Sequence, residues 1–466
     1  MSVHETPGLY VGEVPQLPPG ITEAETAIPG FVGYTATATN AALDDLRFKP
    51  TLVRSMVDFV EFFGDSGAAG AVAHVSDSGG APVVERVDPP SYHPLYFALQ
   101  LYFDNGGRQC YVVSVGTRSG PGDGLPSIAA LTQGIEALAQ QDEVTLLVVP
   151  EATSLAPADY GALTTAMLAQ CAAQRDRFAL FDLYDGANPR VDVTASRRLF
   201  PEGGALAYGA VYYPYLSTTL TFPYVESPSS GGLTSNALVR VNGSAPVDVV
   251  TLREKQPVIY GIAVAALREQ PVVIPPSGAV VGAYVRSDRE QGVWKAPANL
   301  QLQNVFAPVT MLTQAQSDRL NVDPDGGKSV NTIRAFPGKG TLVWGARTLA
   351  GNDAEWRYVP VRRFLTVIEE SISKSTQWVV FEPNDANTWA MVRASIENYL
   401  TTKWRDGGLI GTTPKEAFFV HCGLGQTMTA QDVADGRLIV EIGVAPVRPA
   451  EFIVIRISHR MAGSES

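Results

Sequence analysis

The sequence predicts a mixed α/β and α+β protein. It has a doubly wound parallel-sheet domain in its middle, a smaller α+β domain after it, and an extended β-strand arm at each end. Three observations carry this. Near-continuous apolar runs of strand length alternate with helix-length segments from residue 109 to 213. A second helix–strand rhythm starts near Tyr358. Both termini carry short strand-forming runs set beside prolines.

At 466 residues the chain is long for a single core, so two or three domains are expected. Hydrophobic residues make up 45% and charged residues 18%, the balance of a globular protein rather than a disordered one. The net charge of −12 comes without any Lys/Arg-rich block, which argues against nucleic acid as a partner. The N-terminal MSVHETPGLYVGEV has neither a basic nor an apolar leader region, and no apolar run is long enough to insert directly into a membrane. Cys110, Cys171 and Cys422 are odd in number and widely spaced, and each lies in or beside an apolar segment. They are expected to be buried free thiols of a protein made in a reducing cytoplasm.

In order along the chain, residues 1–20 form an N-terminal arm. PGLYVGEV supplies a short strand with Tyr10, Val11 and Val14, and Pro15, Pro18 and Pro19 stiffen the stretch after it. Residues 21–90 are an N-terminal segment and linker, whose Gly-, Ala- and Ser-rich part, 64–90, reads as loop. The α/β domain covers 91–355. Its strands are expected at 109–116, 143–150, 177–183, 205–213 and 341–347, and its helices at 127–141, 157–174, 190–200 and 254–269. Residues 214–252, with PSSGG and NGSAP, interrupt this rhythm as a small β-rich insertion.

The α+β domain covers 356–446. It has a helix at 361–373, a strand in WVVFEP (378–383), and a helix capped by Asp385 or Asn387 with Trp389, Val392, Ile396 and Tyr399 on one face. Strands follow at 417–422 and 437–444. Residues 447–466 form the C-terminal arm. Phe452, Ile453, Val454, Ile455 and Ile457 make its strand, and Pro446 and Pro449 are its hinges. Such a strand is apolar on both faces and needs a partner for its edges.

Fragments that imitate active sites fail on context. Gly64-Asp65-Ser66-Gly67 looks like a nucleophile turn, but it sits in the Gly/Ala stretch, with no base context around His74 or His93. GGKS (326–329) has Val322 where a phosphate loop needs its first glycine, and it comes after a turn, so a surface turn is expected. The five histidines show no metal-ligand spacing. No catalytic, cofactor or metal residue is expected.

Long blocks then carry a resemblance. TPGLYVGEV (6–14), ETAIPGFVGYT (25–35), SDREQGVWKAPAN (287–299), VNTIRAFPGKGTLVWGARTLAG (330–351) and WRYVPVRR (356–363) stand in order along the chain. WVVFEPNDANTWAMVRASIENYL (378–400), GGLIGTTPKEAFFVHCG (407–423) and GRLIVEIGVAPVRPAEFIVIRI (436–457) complete them. With these the chain resembles the contractile tail sheath proteins of phages and of phage-tail-like injection particles.

The resemblance implies a structural subunit, not an enzyme, that stacks as six-membered rings into a helical sheath around an inner tube. Contraction of that sheath drives the tube through a target envelope. It implies a subtilisin-like topology for the central domain and a C-terminal domain facing the tube, with Lys403, Trp404, Arg405 and Lys415 as tube contacts. Terminal arms would add strands to neighbouring subunits. The implied partners are other copies of the chain, the inner tube protein, baseplate and cap proteins, and sheath paralogues where these exist. The implied place of assembly is the bacterial cytoplasm, within a virion tail or a tail-like particle. An active subtilisin-like hydrolase and a static tube or shell protein are the alternatives.

Overall fold

The computed structural model describes residues 20–117, 126–229 and 232–451. It divides into two compact units. Among the described residues, the larger is built from 25–367 with 448–451, the smaller from 20–24 with 368–447.

The large unit is organised by a nine-stranded sheet. In chain order its strands are β1 (Pro29–Thr35), β2 (Thr51–Val53), β3 (Cys110–Thr117), β4 (Leu146–Val148), β5 (Phe178–Asp182), β6 (Gly209–Tyr213), β7 (Leu300–Gln301), β8 (Val330–Phe336) and β9 (Gly340–Trp344). Across the sheet they run β7-β9-β8-β6-β5-β4-β1-β3-β2. The six from β8 to β3 are parallel, while β2, β7 and β9 close the edges antiparallel.

Successive side chains point to opposite faces. Phe31, Leu146, Val148, Leu180 and Tyr212 enter one core, against α1 (Pro94–Asp104) and Ala279, Val280 and Ala283. Val32, Leu147, Phe181, Val211 and Tyr213 enter the other, with Leu131 and Ile135 of α2 (Ile128–Leu138) and Leu163 and Met167 of α3 (Pro157–Gln174). Burial on both faces explains why these strands read as unbroken apolar runs.

Helix α4 (Ser277–Gln291) was not anticipated from the sequence. It lies against α1 through Gly278 and Gly282, where an added Cβ would stand 2.3 Å from the Ala98 carbonyl oxygen and 2.4 Å from that of Tyr102. Two glycines four residues apart let the helix backbones meet. All three cysteines are buried free thiols, and burial raises each thiol's pKa.

The sheet begins earlier than expected, because β1, at its centre, comes from the segment set apart as N-terminal. The loop reading of 64–90 is also corrected. Ala71–Ser76 and Val83–Asp88 are strands, and the first pairs in parallel with Ala237–Val241, which pairs in turn with Val247–Asp248. This four-stranded sheet has its own core, in which Ala73, Val75 and Val239 pack with Ala263 and Leu267 of the helix Pro257–Arg268. Part of the β-rich stretch at 214–252 therefore folds with residues 71–88. The rest forms a hairpin of Glu226–Ser229 with Gly232–Ser235, and a strand, Leu216–Thr221, held between Pro271–Ile274 and Val305–Pro308.

Helix α5 (Val359–Ser375) contains the division between the units. The small unit continues with α6 (Ala386–Arg405) and an antiparallel pair, β10 (Phe418–His421) with β11 (Glu441–Val444). Asp385 caps α6, accepting from the backbone N–H groups of Asn387 and Thr388. Val392, Ile396 and Tyr399 of the expected stripe are buried, and Trp389 is half-buried. The strand expected in WVVFEP is absent. Gln377–Val379 is a single 3₁₀ turn, and Phe381 comes after it with φ +75° and a side chain open to solvent. Four apolar residues followed by Glu382 and Pro383 are too short a run to separate strand from turn by pattern.

Candidate assembly surfaces

The arm residues Tyr10, Val11, Val14, Pro15, Pro18 and Pro19, and Phe452, Ile453, Val454, Ile455 and Ile457, lie outside the described residues. The roots of both arms lie within them. At the N-terminal root, Ser375 Oγ accepts the Thr22 N–H (3.0 Å) and Ser371 Oγ accepts that of Ala24 (2.9 Å). The serines are four residues apart on α5, so they share a face and meet alternate residues of an extended chain. Glu23, between those two, pairs with Lys403 at 2.7 Å.

That pairing corrects the reading of Lys403 as a tube contact. Its side chain is 7% exposed, bound to Glu23, near Asp406 (3.8 Å) and over the Tyr399 ring. Burial of a lysine requires such a partner. Trp404 is half-buried, and its indole N–H donates to the Gly411 carbonyl. Arg405 and Lys415 are exposed. A groove of about 300 Å³ runs beside the N-terminal root, lined by Gly20, Ile21, Ser395, Asn398 and Thr402.

Pro446 also departs from expectation. It bridges to Leu409, and its neighbours are fixed in the small unit: Ala445 N–H donates to Ala417 O, and Val447 N–H to Gly408 O. It ends a structured element rather than hinging a free arm, and Pro449 remains in the span beyond it.

Among the described residues, β10 and β11 each have one strand neighbour, the other of the pair. A two-stranded sheet is marginal alone. Its flanks are apolar and partly open, with Phe419 at 45% and Ile410 at 53% exposure. Gly443 is required opposite Phe419, since a Cβ there would stand 2.1 Å from the ring. Phe381 and Val380 add a further exposed apolar tip in this unit.

In the large unit, folding brings together residues that sequence reading had kept apart. Glu151, just after β4, shares a crevice of about 240 Å³ with Tyr34, Gly67, Tyr92 and His93, where the strand order reverses between β4 and β1. Ligands of such sheets bind at this place. The His93 N–H donates to the Ser66 carbonyl, and the Gly67 backbone abuts the His93 ring. Ser66 is itself 1% exposed, and its Oγ accepts from the Ala68 N–H. His74 lies elsewhere, bound to Asp88.

The GGKS segment is a surface turn only in its first half: Gly326 is exposed, whereas Lys328 and Ser329 are buried. Lys328 is buried, with Nζ donating to the Phe200 carbonyl and to Glu202, and is thereby committed to the fold. Burial pushes Asp182 up to about 7 although Ser277 donates to it twice; it ends β5 and anchors the start of α4. No group of three metal-ligating side chains occurs among the described residues, and no described helix is long and apolar enough to cross a membrane.

Residues 352–460 match the phage tail sheath C-terminal domain. The tail sheath protein of Vibrio phage KVP40 is 24% identical over 221 residues, which cover 46% of this chain and 31% of that protein. The chain spans about a third or less of the length of the curated tail sheath proteins it matches. Among solved structures, the PVC sheath complex of an extracellular contractile injection system, in its contracted state, is 27% identical. It superposes with a TM-score of 0.65 over 98% of both chains. A chain in the anti-feeding prophage baseplate is 29% identical with a TM-score of 0.62, over 98% of this chain and 100% of that one. The matched C-terminal domain, and a mixed α/β fold shared over almost the whole chain, make this protein similar to the contractile tail sheath proteins.

Proposed function

We propose that the chain is the repeating subunit of a contractile sheath, polymerising as helically stacked six-membered rings around an inner tube. The observation that carries this reading is the β10–β11 pair, two short strands that among the described residues have one strand neighbour apiece, in a chain whose sequence has a strand-forming run near each end. An arm from another copy, added at an open edge, completes main-chain pairing and covers Phe419 and Ile410. The likeness to a sheath solved in its contracted state supports contraction, and the likeness to a chain in a baseplate structure supports a baseplate partner. The inner tube, a terminal cap and any paralogues complete the proposed assembly, which forms in the bacterial cytoplasm. The large unit provides the subtilisin-like body, without hydrolase action.

Contraction is then a rigid-body rearrangement in which sheath–tube contacts give way to sheath–sheath contacts while the arms keep subunits joined. The energy is stored on assembly. Electron microscopy of particles built from this chain, before and after triggering, is expected to show long, thin sheaths becoming short and wide. Particles of one fixed length after every trigger would leave only a static tube.

A further inference from the structure

The two arms are rooted differently. Residues 22–24 are held in the small unit by Ser371, Ser375 and Lys403. The C-terminal arm leaves from the large unit, at Glu451. Arg347 Nε donates to its carboxylate at 2.8 and 3.1 Å and Nη2 at 2.6 Å, a forked pairing. Asn321 Nδ2 donates at 2.6 Å and the Tyr358 hydroxyl at 3.1 Å. Burial alone would raise the Glu451 carboxyl, but these donors, with Arg347 foremost, hold it below its usual range.

The socket is set before the arm arrives. Arg347 is 4% exposed, and its backbone N–H and C=O are both held by the Asn331 side chain (2.8 Å each). Its strand-like bridge to Tyr358 fixes two of the three donors to each other. Asn321 comes from the end of the helix Gln314–Asn321, so three separate segments converge on one carboxylate.

Between this socket and the last bonded residue of the small unit, Val447, lie only Arg448, Pro449 and Ala450. A pull applied beyond residue 451 therefore meets the socket before it meets the backbone bonds of 445–447. We propose that the Arg347–Asn321–Tyr358 socket around Glu451 is a tension anchor. It takes the pull of a neighbouring subunit into the large unit and keeps that pull from stripping 445–447 out of the small one. This rests on the reading of 450–457 as an inter-subunit strand.

The test uses whole sheaths of E451A, E451Q and N321A, with a variant lacking 452–466 beside them. E451A and E451Q are expected to assemble extended sheaths of normal length that break on triggered contraction, with mean contracted length falling at least threefold. N321A, which removes a single donor, shifts the same way by less, and it decides the matter should E451A fail to assemble. Contracted E451A or E451Q sheaths of full length, or fragmentation absent in N321A when E451A does not assemble, overturn the anchor, whatever happens to subunit melting. If the truncated chain assembles and contracts normally, the arm reading itself fails. If it cannot assemble while E451A behaves as wild type, only the anchor is wrong.

Discussion

Deletion of residues 452–466 is expected to give a subunit that folds and stays monomeric. The truncation spares Glu451 and its socket, so the large unit keeps every bond described for it. What is lost is Phe452, Ile453, Val454 and Ile455, each contributing ~1.5–3 kcal/mol where it is buried. About five main-chain hydrogen bonds go with them, at ~1 kcal/mol net apiece. Ordering the arm consumes much of that gain, at ~1–2 kcal/mol per residue. A few kcal/mol per joint survives, and every ~1.4 kcal/mol is tenfold in an association constant. Repeated at each subunit of a lattice, that loss abolishes polymerisation. Sedimentation should show monomer at concentrations where the full chain forms sheaths, with an unchanged subunit melting temperature. Sheaths of ordinary length from the truncated chain would dismiss the joint.

Substitution of Asp288 by Ala acts on the fold instead. Asp288 and Arg363 are each 3% exposed and paired through both oxygens, at 3.1 and 2.6 Å. The guanidinium also donates to the Thr26 carbonyl and lies over the Tyr284 ring. Removing the carboxylate leaves a buried cation whose remaining partners cannot neutralise it, at a cost of about 3–5 kcal/mol. The denaturation midpoint of the subunit should fall accordingly with an unchanged slope against denaturant. A loss under about 1 kcal/mol would mean that Arg363 regains water in the folded state.

The same pair illustrates what was legible in the sequence. Asp288 stands in SDREQGVWKAPAN and Arg363 in WRYVPVRR, two blocks that carried the resemblance, and the fold joins them through one ion pair. The parallel sheet was visible because strands buried on both faces have no polar alternation to hide them. The strands at 71–76 and 83–88 were not, since Gly, Ala and Ser surround them and their partner at 237–241 is far along the chain.

Lys403 was misjudged for a similar reason. A basic residue at a helix end looks exposed until Glu23, far off in sequence, is found beside it. Nor could spacing have brought Glu151 into the crevice beside His93, because strand order, not sequence distance, puts them there. The anchor around Glu451 had no local signal at all. Its parts come from 321, 347, 358 and 451, and only the folded chain assembles them.

The central claim is that β10 and β11 receive strands from other copies of the chain. A cryo-EM reconstruction of assembled sheaths, at a resolution that separates strands, measures this directly. It should show added strands on the β10–β11 pair, traceable to the terminal arms of different subunits, in both the long and the short form. Open β10 and β11 edges in the assembled sheath, or an arm folded back onto its own subunit, would contradict it.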